Sequence, residues 1–214
     1  MLDQIIVRNK GSNSYLLYNE NKEAILVDPG YNGGNCLIEH INKLGLNVVS
    51  ILITHCHYDH ITALQGVLKA FPEATTYLNE DELELLDDPK LNLSKFREDG
   101  DDTVLDYKPE KLITLSDYEE FEVAGFKIQH IKTPFHTKGS ACYYVKSENI
   151  LFSGDTLFYS AIGRTDLPTG SSRLVESSLK KLLALPKETK VYPGHALSTN
   201  MDRESKYNPY LRNI

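Results

Sequence analysis

The sequence predicts an α/β fold in which sheets pack together and helices cover them on the outside. Three observations predict it. Short runs rich in β-branched and aromatic residues recur in both halves of the chain. Each half also carries a segment whose apolar residues recur at helical spacing. Strands followed by helices in both halves bury their apolar faces in layers.

The elements follow in order. Apolar runs at 5–7, 15–18 and 24–27 read as strands, separated by the turns Gly11-Ser12-Asn13 and Asn19-Glu20-Asn21-Lys22. The third run ends in Asp28-Pro29-Gly30, a turn signal. Residues 36–44 have helical spacing, with Gly45 as the stop. The β-branched run at 48–53 reads as a buried strand, and 63–71 as a helix halted before Pro72. A short helix is expected at 81–86 and mostly loop at 87–102. Strands return at 121–123, 126–131, 141–145 and 150–152. Residues 172–185 form an amphipathic helix ended by Pro186, and Val191-Tyr192 is a last short strand. No repeat, linker or low-complexity segment interrupts the 214 residues, so 1–214 reads as one domain with a full core.

Composition narrows the function. With 41% hydrophobic and 25% charged residues the chain is an ordinary folded protein. A formal net charge of −7 argues against nucleic acid as a partner, since phosphate binding needs a basic face. Cys36, Cys56 and Cys142 are few, scattered and odd in number, which predicts a reducing, cytoplasmic setting. The first 20 residues read as strand, turn, strand, with no signal-peptide pattern, and no apolar run is long enough to span a membrane.

The chemistry concentrates at residues 51–60, ILITHCHYDH. A buried strand ends at Thr54, and His55, His57, Asp59 and His60 follow within six positions. In extended chain His55 and His57 point to one side and can share a cation, while Cys56 alternates away as a small buried filler. Asp59 and His60 lie where the chain turns toward the next helix and can face a second cation. Imidazole and carboxylate donors together suit zinc, iron or manganese. His136, Asp155 and His195 complete the set, each in a turn-rich segment beside a strand, where side chains converge. His40 on a helix and His130 in a strand lack such partners and read as structural. Close-packed histidines without a metal would repel one another once charged.

In these residues the sequence resembles the metallo-β-lactamase fold superfamily. The motif His-x-His-x-Asp-His spans His55 to His60, and His136, Asp155 and His195 match the remaining ligand positions in order. The resemblance covers nearly the whole chain. It implies a four-layer αββα sandwich with two divalent ions at one edge, zinc foremost, with iron and manganese as alternatives. Site one would be His55, His57 and His136; site two would be Asp59, His60 and His195, with Asp155 bridging. True β-lactamases of the superfamily often carry cysteine where Asp155 stands, which disfavours that branch.

The segments SGDTLF at 153–158, GRTDLP at 163–168 and NPYL at 208–211 resemble the glyoxalase II-like bacterial hydrolases, whose type reaction is hydrolysis of the thioester S-lactoylglutathione. Arg164 matches the family's glutathione-contacting basic residue. Asp166 and Leu197 stand where the family has tyrosines, and the C-terminal helical extension has no counterpart. Phe135 replaces a small residue before His136 and is expected to narrow the site. Glutathione itself is therefore expected to be only weakly preferred.

The implied activity is thioester or ester hydrolysis by a metal-bridging hydroxide, since a two-metal site brings bound water to a pKa of about 7. Asp59 would orient the nucleophile and accept its proton, or serve as a ligand only. A thiolate leaves readily, with a thiol pKa near roughly 8.5, so no strong general acid is needed. Arg164 either binds an anionic part of the substrate or pairs with Asp166 to stiffen its loop. The alternatives are a one-iron persulfide dioxygenase-like oxidoreductase and a phosphodiesterase of the same fold. Against the first, Leu167-Pro168 stands where those enzymes carry Phe-Gln. Against a nuclease, the chain leaves no room for the usual inserted domain.

Overall fold

The computed structural model describes residues 1–6, 11–30, 34–96 and 109–214. Val7 and residues 97–102, in the expected first strand and middle loop, lie outside them.

The first sheet has six strands in sequential order: β1 (Leu2–Ile6), β2 (Asn13–Tyr18), β3 (Glu23–Val27), β4 (Asn47–Leu52), β5 (Thr75–Asn79) and β6 (Leu112–Leu115). β1 to β3 form an antiparallel meander, and β3 to β6 are parallel. Parallel neighbours need crossovers. Helix α1 (Gly34–Leu44) supplies the first, and α2 (Tyr58–Ile61) with α3 (Leu64–Ala70) the second. The short α4 (Leu83–Asp87) follows a single 3₁₀ turn at Glu80–Glu82.

The second sheet runs β14-β13-β10-β9-β8-β7. Its strands are β7 (Glu120–Val123), β8 (Phe126–Lys132), β9 (Ala141–Val145), β10 (Ile150–Gly154), β13 (Lys190–Pro193) and β14 (Thr199–Asn200). A two-stranded hairpin, β11 (Leu157–Phe158) and β12 (Ala161–Ile162), projects after β10. Helices α5 (Val175–Leu183) and α6 (Met201–Tyr207) close the chain.

Side-chain alternation builds the layers. Leu16, Ala24 and Leu26 point to one face of the first sheet and pack with Leu37, Ile41, Leu64 and Leu68 of α1 and α3. Their neighbours Tyr15, Leu17, Ile25 and Val27 point the other way, against Ile128, Tyr143, Val145 and Phe152 of the second sheet. Cys142, Tyr144, Leu151 and Val191 leave the far face of that sheet and meet Leu179 and Leu182 of α5. Because the side-chain period of a strand is two, both sheets are apolar on both faces, and three cores stack between four layers. This is the αββα sandwich that the resemblance implied.

The expected strands and the helices at 36–44, 63–71 and 172–185 form within a few residues of their expected limits. The sequence reading lacked β5, β6, the β11–β12 hairpin, β14 and α6. Strand β5 carries Thr75, Thr76 and Asn79 among its five residues, and Ile113 and Thr114 of β6 are exposed, so neither shows an apolar run. No helix among the described residues is long and apolar enough to cross a membrane.

Candidate metal centre

Four loops meet at one edge of the sandwich, each leaving the carboxyl end of a strand. The loop after β4 carries His55 and His57 and runs into α2, which holds Asp59 and His60. Those after β8, β10 and β13 carry His136, Asp155 and His195. β10 and β13 are parallel, so their carboxyl ends lie side by side. Gly194 allows a close approach: a Cβ there would stand 2.3 Å from Asp155 Oδ1 and 2.6 Å from His60 Cε1.

All seven candidate ligands converge. His55, His57 and His136 bring one donor atom each to within 4.8 Å of one another, as do His55, His60 and Asp155, and Asp59, His60 and His195. The first and third trios coincide with the two sites drawn from the resemblance. Asp155 reaches both sides: Oδ1 lies 3.4 Å from His60 Nε2, and Oδ2 lies 3.4 Å from His136 Nε2 and 3.5 Å from His195 Nε2. Six of the seven are largely buried, whereas His195, at 35% side-chain exposure, marks the open side.

The surrounding hydrogen bonds set the tautomers. His136 Nδ1 lies 2.8 Å from the Arg164 carbonyl, which can only accept, so Nδ1 carries the proton and Nε2 keeps a lone pair. His60 Nδ1 donates to Asp28 Oδ2 at 2.9 Å, which leaves Nε2 as the nitrogen a cation would take. Thr54 Oγ1 donates to the same Oδ2 at 2.7 Å, so it accepts from His55 Nδ1 at 3.2 Å. The remaining atoms test whether a cation fits. His55 Nε2, His60 Nε2 and Asp155 Oδ1 are buried with no hydrogen-bond partner among the described residues. Each such atom costs about 1–3 kcal/mol unless something satisfies it, and all three belong to one trio of candidate ligands. Two unpartnered imidazole nitrogens and a carboxylate oxygen facing one another are a donor set for a divalent metal ion.

The electrostatics agree. Burial, with the neighbouring His60, His57 and His136 rings, holds His55 well below the usual imidazole range. Burial and His136 likewise push His57 down to about 3. Both rings are thus neutral, the form that binds metal. Burial alone would lower His60 too, but with no cation present Asp59, Asp155 and Asp28 together raise it well above the usual range, so its Nε2 carries a proton that a bound metal ion would displace. That concentration of carboxylates is what a pair of cations would neutralise.

Cys56 is fully buried in the helix-side core, and His130 donates from Nδ1 to the Ser116 carbonyl at 2.8 Å within β8, so both have the structural places expected of them. Phe135 does not narrow the site. Its ring is fully buried with Ile131, Leu157 and Leu179 in the core behind the second sheet, because an apolar ring gains more there than at a wet mouth. Arg164 is exposed and makes a two-pronged contact with Asp166, Nε to Oδ1 at 2.7 Å and Nη2 to Oδ2 at 2.8 Å. Sequence reasoning missed Asp28, which it read only as a turn, and Glu82. Both are charged residues whose importance comes from burial. It also gave no structural reason for the NPYL segment. Asn208 Nδ2 donates to the Ala161 carbonyl and to Glu204 Oε2, and so ties the β11–β12 hairpin to α6.

Comparison with known proteins follows from this geometry. The model of the metallo-beta-lactamase superfamily matches residues 7–195. A protein of Streptococcus pyogenes named a probable metallo-hydrolase is 37% identical, over 94% of this chain and 86% of its own. The hydroxyacylglutathione hydrolase GloC of Haemophilus influenzae is 30% identical, over 93% of this chain and 92% of its own. Among solved structures, the BLEG-1 B3 metallo-beta-lactamase superposes with a TM-score of 0.90 at 37% identity, covering 99% of both chains. TTHA1623, crystallised in a di-iron-bound form, superposes at 0.83 with 30% identity, covering 98% of this chain and all of its own.

Proposed function

The chain belongs to the metallo-β-lactamase superfamily, and on that premise we propose that it is a dinuclear metal-dependent hydrolase of thioesters, of the hydroxyacylglutathione type. The observation that carries the reading is the trio His55, His60 and Asp155, whose buried donor atoms have no hydrogen-bond partner among the described residues. His55, His57 and His136 would hold one ion, Asp59, His60 and His195 the other, and Asp155 would reach both. When bound, two such ions lower the pKa of a coordinated water to about 7 and polarise a carbonyl oxygen.

The chain's own residues supply the rest. Asp59 Oδ2, 3.2 Å from His195 Nε2 on the open side, is placed to accept a proton from the attacking water. Phe158 lies edge-on to His195, with ring centroids 6.0 Å apart, and offers an apolar wall beside the mouth for an acyl or thiol chain. Arg164 would meet an anionic part of the substrate once it exchanges Asp166 for the substrate's carboxylate. The similarity to GloC supports the thioester assignment, and the di-iron form of TTHA1623 supports two metals and keeps iron beside zinc.

The similarity to BLEG-1 favours one second reading, β-lactam hydrolysis. A single experiment separates them. Protein purified without added metal is analysed for zinc, iron and manganese, then assayed on S-lactoylglutathione, a simple thioester, a β-lactam and a phosphodiester. Two metals per chain and the fastest turnover on thioesters are expected. Full activity with one metal per chain would overturn the dinuclear reading, and faster β-lactam cleavage would overturn the substrate class.

A further inference from the structure

Glu82 is a fully buried acid in the single 3₁₀ turn between β5 and α4, outside the set of candidate ligands. Its two oxygens hold two different loops. Oε2 accepts the backbone N–H of Cys56 at 2.6 Å, between the ligands His55 and His57. Oε1 accepts the Thr137 hydroxyl at 2.6 Å and the Gly139 N–H at 2.9 Å, in the loop that carries His136. The fit is tight, because a Cβ on Gly139 would stand 2.7 Å from Glu82 Oε1 and 2.8 Å from the Glu82 backbone nitrogen. A buried carboxylate is costly unless fully hydrogen-bonded, and this one satisfies itself only by joining the two loops.

We propose that Glu82 is the positioning residue of the His55–His57–His136 trio, clamping the β4 loop to the β8–β9 loop so that the three imidazoles meet at one point. This inference rests on the metallohydrolase reading above and adds a residue to it. The two backbone donors explain why only an acid serves. Cys56 N–H and Gly139 N–H are fixed donors on opposite oxygens, so a glutamine in place of Glu82 must turn its NH₂ toward one of them. One clamp bond is then lost, and its loop moves together with a ligand. Partners that orient ligands from outside typically control about 10- to 100-fold in metal affinity.

The test is zinc titration of the purified chain against a chromophoric chelator, with cobalt(II) absorption as a second readout of ligand geometry. Glu82→Gln is expected to weaken one of the two metals by about 10- to 100-fold and to change the cobalt spectrum of that site. Leu85→Ala, which opens a cavity in the helix-side core three residues away, is expected to lower the melting temperature and leave both affinities as in the wild type. Should Glu82→Gln fold poorly, Thr137→Ala removes one donor, keeps the acid, and is expected to weaken the same metal several-fold. Unchanged affinities in the Glu82→Gln chain, or in the Thr137→Ala chain where that one is used, would overturn the inference alone, as would equal weakening by Leu85→Ala. A wild-type chain that binds no metal would overturn the metallohydrolase reading itself.

Discussion

Asp28→Asn isolates the support beneath the metal centre, because it changes one atom without changing shape. Asp28 Oδ1 accepts the Thr54 N–H at 2.8 Å, and Oδ2 accepts both the Thr54 hydroxyl at 2.7 Å and His60 Nδ1–H at 2.9 Å. The residue has a left-handed backbone, with φ of 48°, which asparagine adopts as readily as aspartate, so the substitution adds no backbone strain. The new NH₂ can take either position. At Oδ1 it opposes the fixed N–H of Thr54. At Oδ2 it forces the His60 proton from Nδ1 to Nε2, the atom that faces Asp59 and Asp155 and would bind metal. Either outcome leaves one buried donor mismatched or one ligand blocked, which costs about 1–3 kcal/mol. Since about 1.4 kcal/mol is tenfold, metal affinity should fall roughly 5- to 150-fold. Isothermal titration of the metal-depleted protein with zinc would measure it, with circular dichroism to confirm the fold. Wild-type affinity in the Asp28→Asn chain would refute the tautomer argument.

Other perturbations probe the remaining parts. His57→Ala should lose one metal and most activity, checked by metal analysis beside the thioester assay. Gly194→Ala drives a methyl to 2.3 Å from Asp155 Oδ1 and should abolish binding of at least one metal, whereas the same change at solvent-facing Gly125 would not test the centre because nothing lies within 4 Å of its Cβ. Arg164→Ala removes an exposed ion pair, a class worth about 0–1 kcal/mol, so the melting temperature should hold while KM rises for an anionic thioester and not for a neutral one. Asp166→Ala should do the reverse and lower KM for the anionic substrate, because it frees the guanidinium; equal losses on both substrates would sink the binding role. Chelating the metals should destabilise the fold: ions at one hundred times their Kd contribute about 2.7 kcal/mol per site, or roughly 5–10 °C in Tm for a chain of this size.

Much of the centre was legible in the sequence because its ligands are chemically rare and locally spaced. His55 and His57 alternate on extended chain, and no ordinary core needs three histidines and an acid in six positions. The support was not legible. Asp28 stands in a sequence that reads as a turn, Glu82 in one that reads as a short helix, and only folding shows that both are buried with their oxygens filled by donors from distant loops. The strands β5 and β6 were hidden for a related reason: partly polar, they gain their place from the parallel neighbours they pair with. Phe135 was misjudged because proximity to His136 in sequence says nothing of which side of the sheet a ring faces.

By itself the sequence determined most of the strands and helices, the layered class, and the inventory of seven candidate ligands, since periodicity and residue chemistry are properties of short segments. The tertiary structure alone decided that His55, His60 and Asp155 also form a trio, which ring nitrogens are taken by hydrogen bonds, and which acids are buried. Those depend on hydrogen bonds between positions far apart in the chain, such as the 57 that separate Gly139 from Glu82. The value of such a bond is set by burial, because the same carboxylate in water would be satisfied by solvent and would hold nothing.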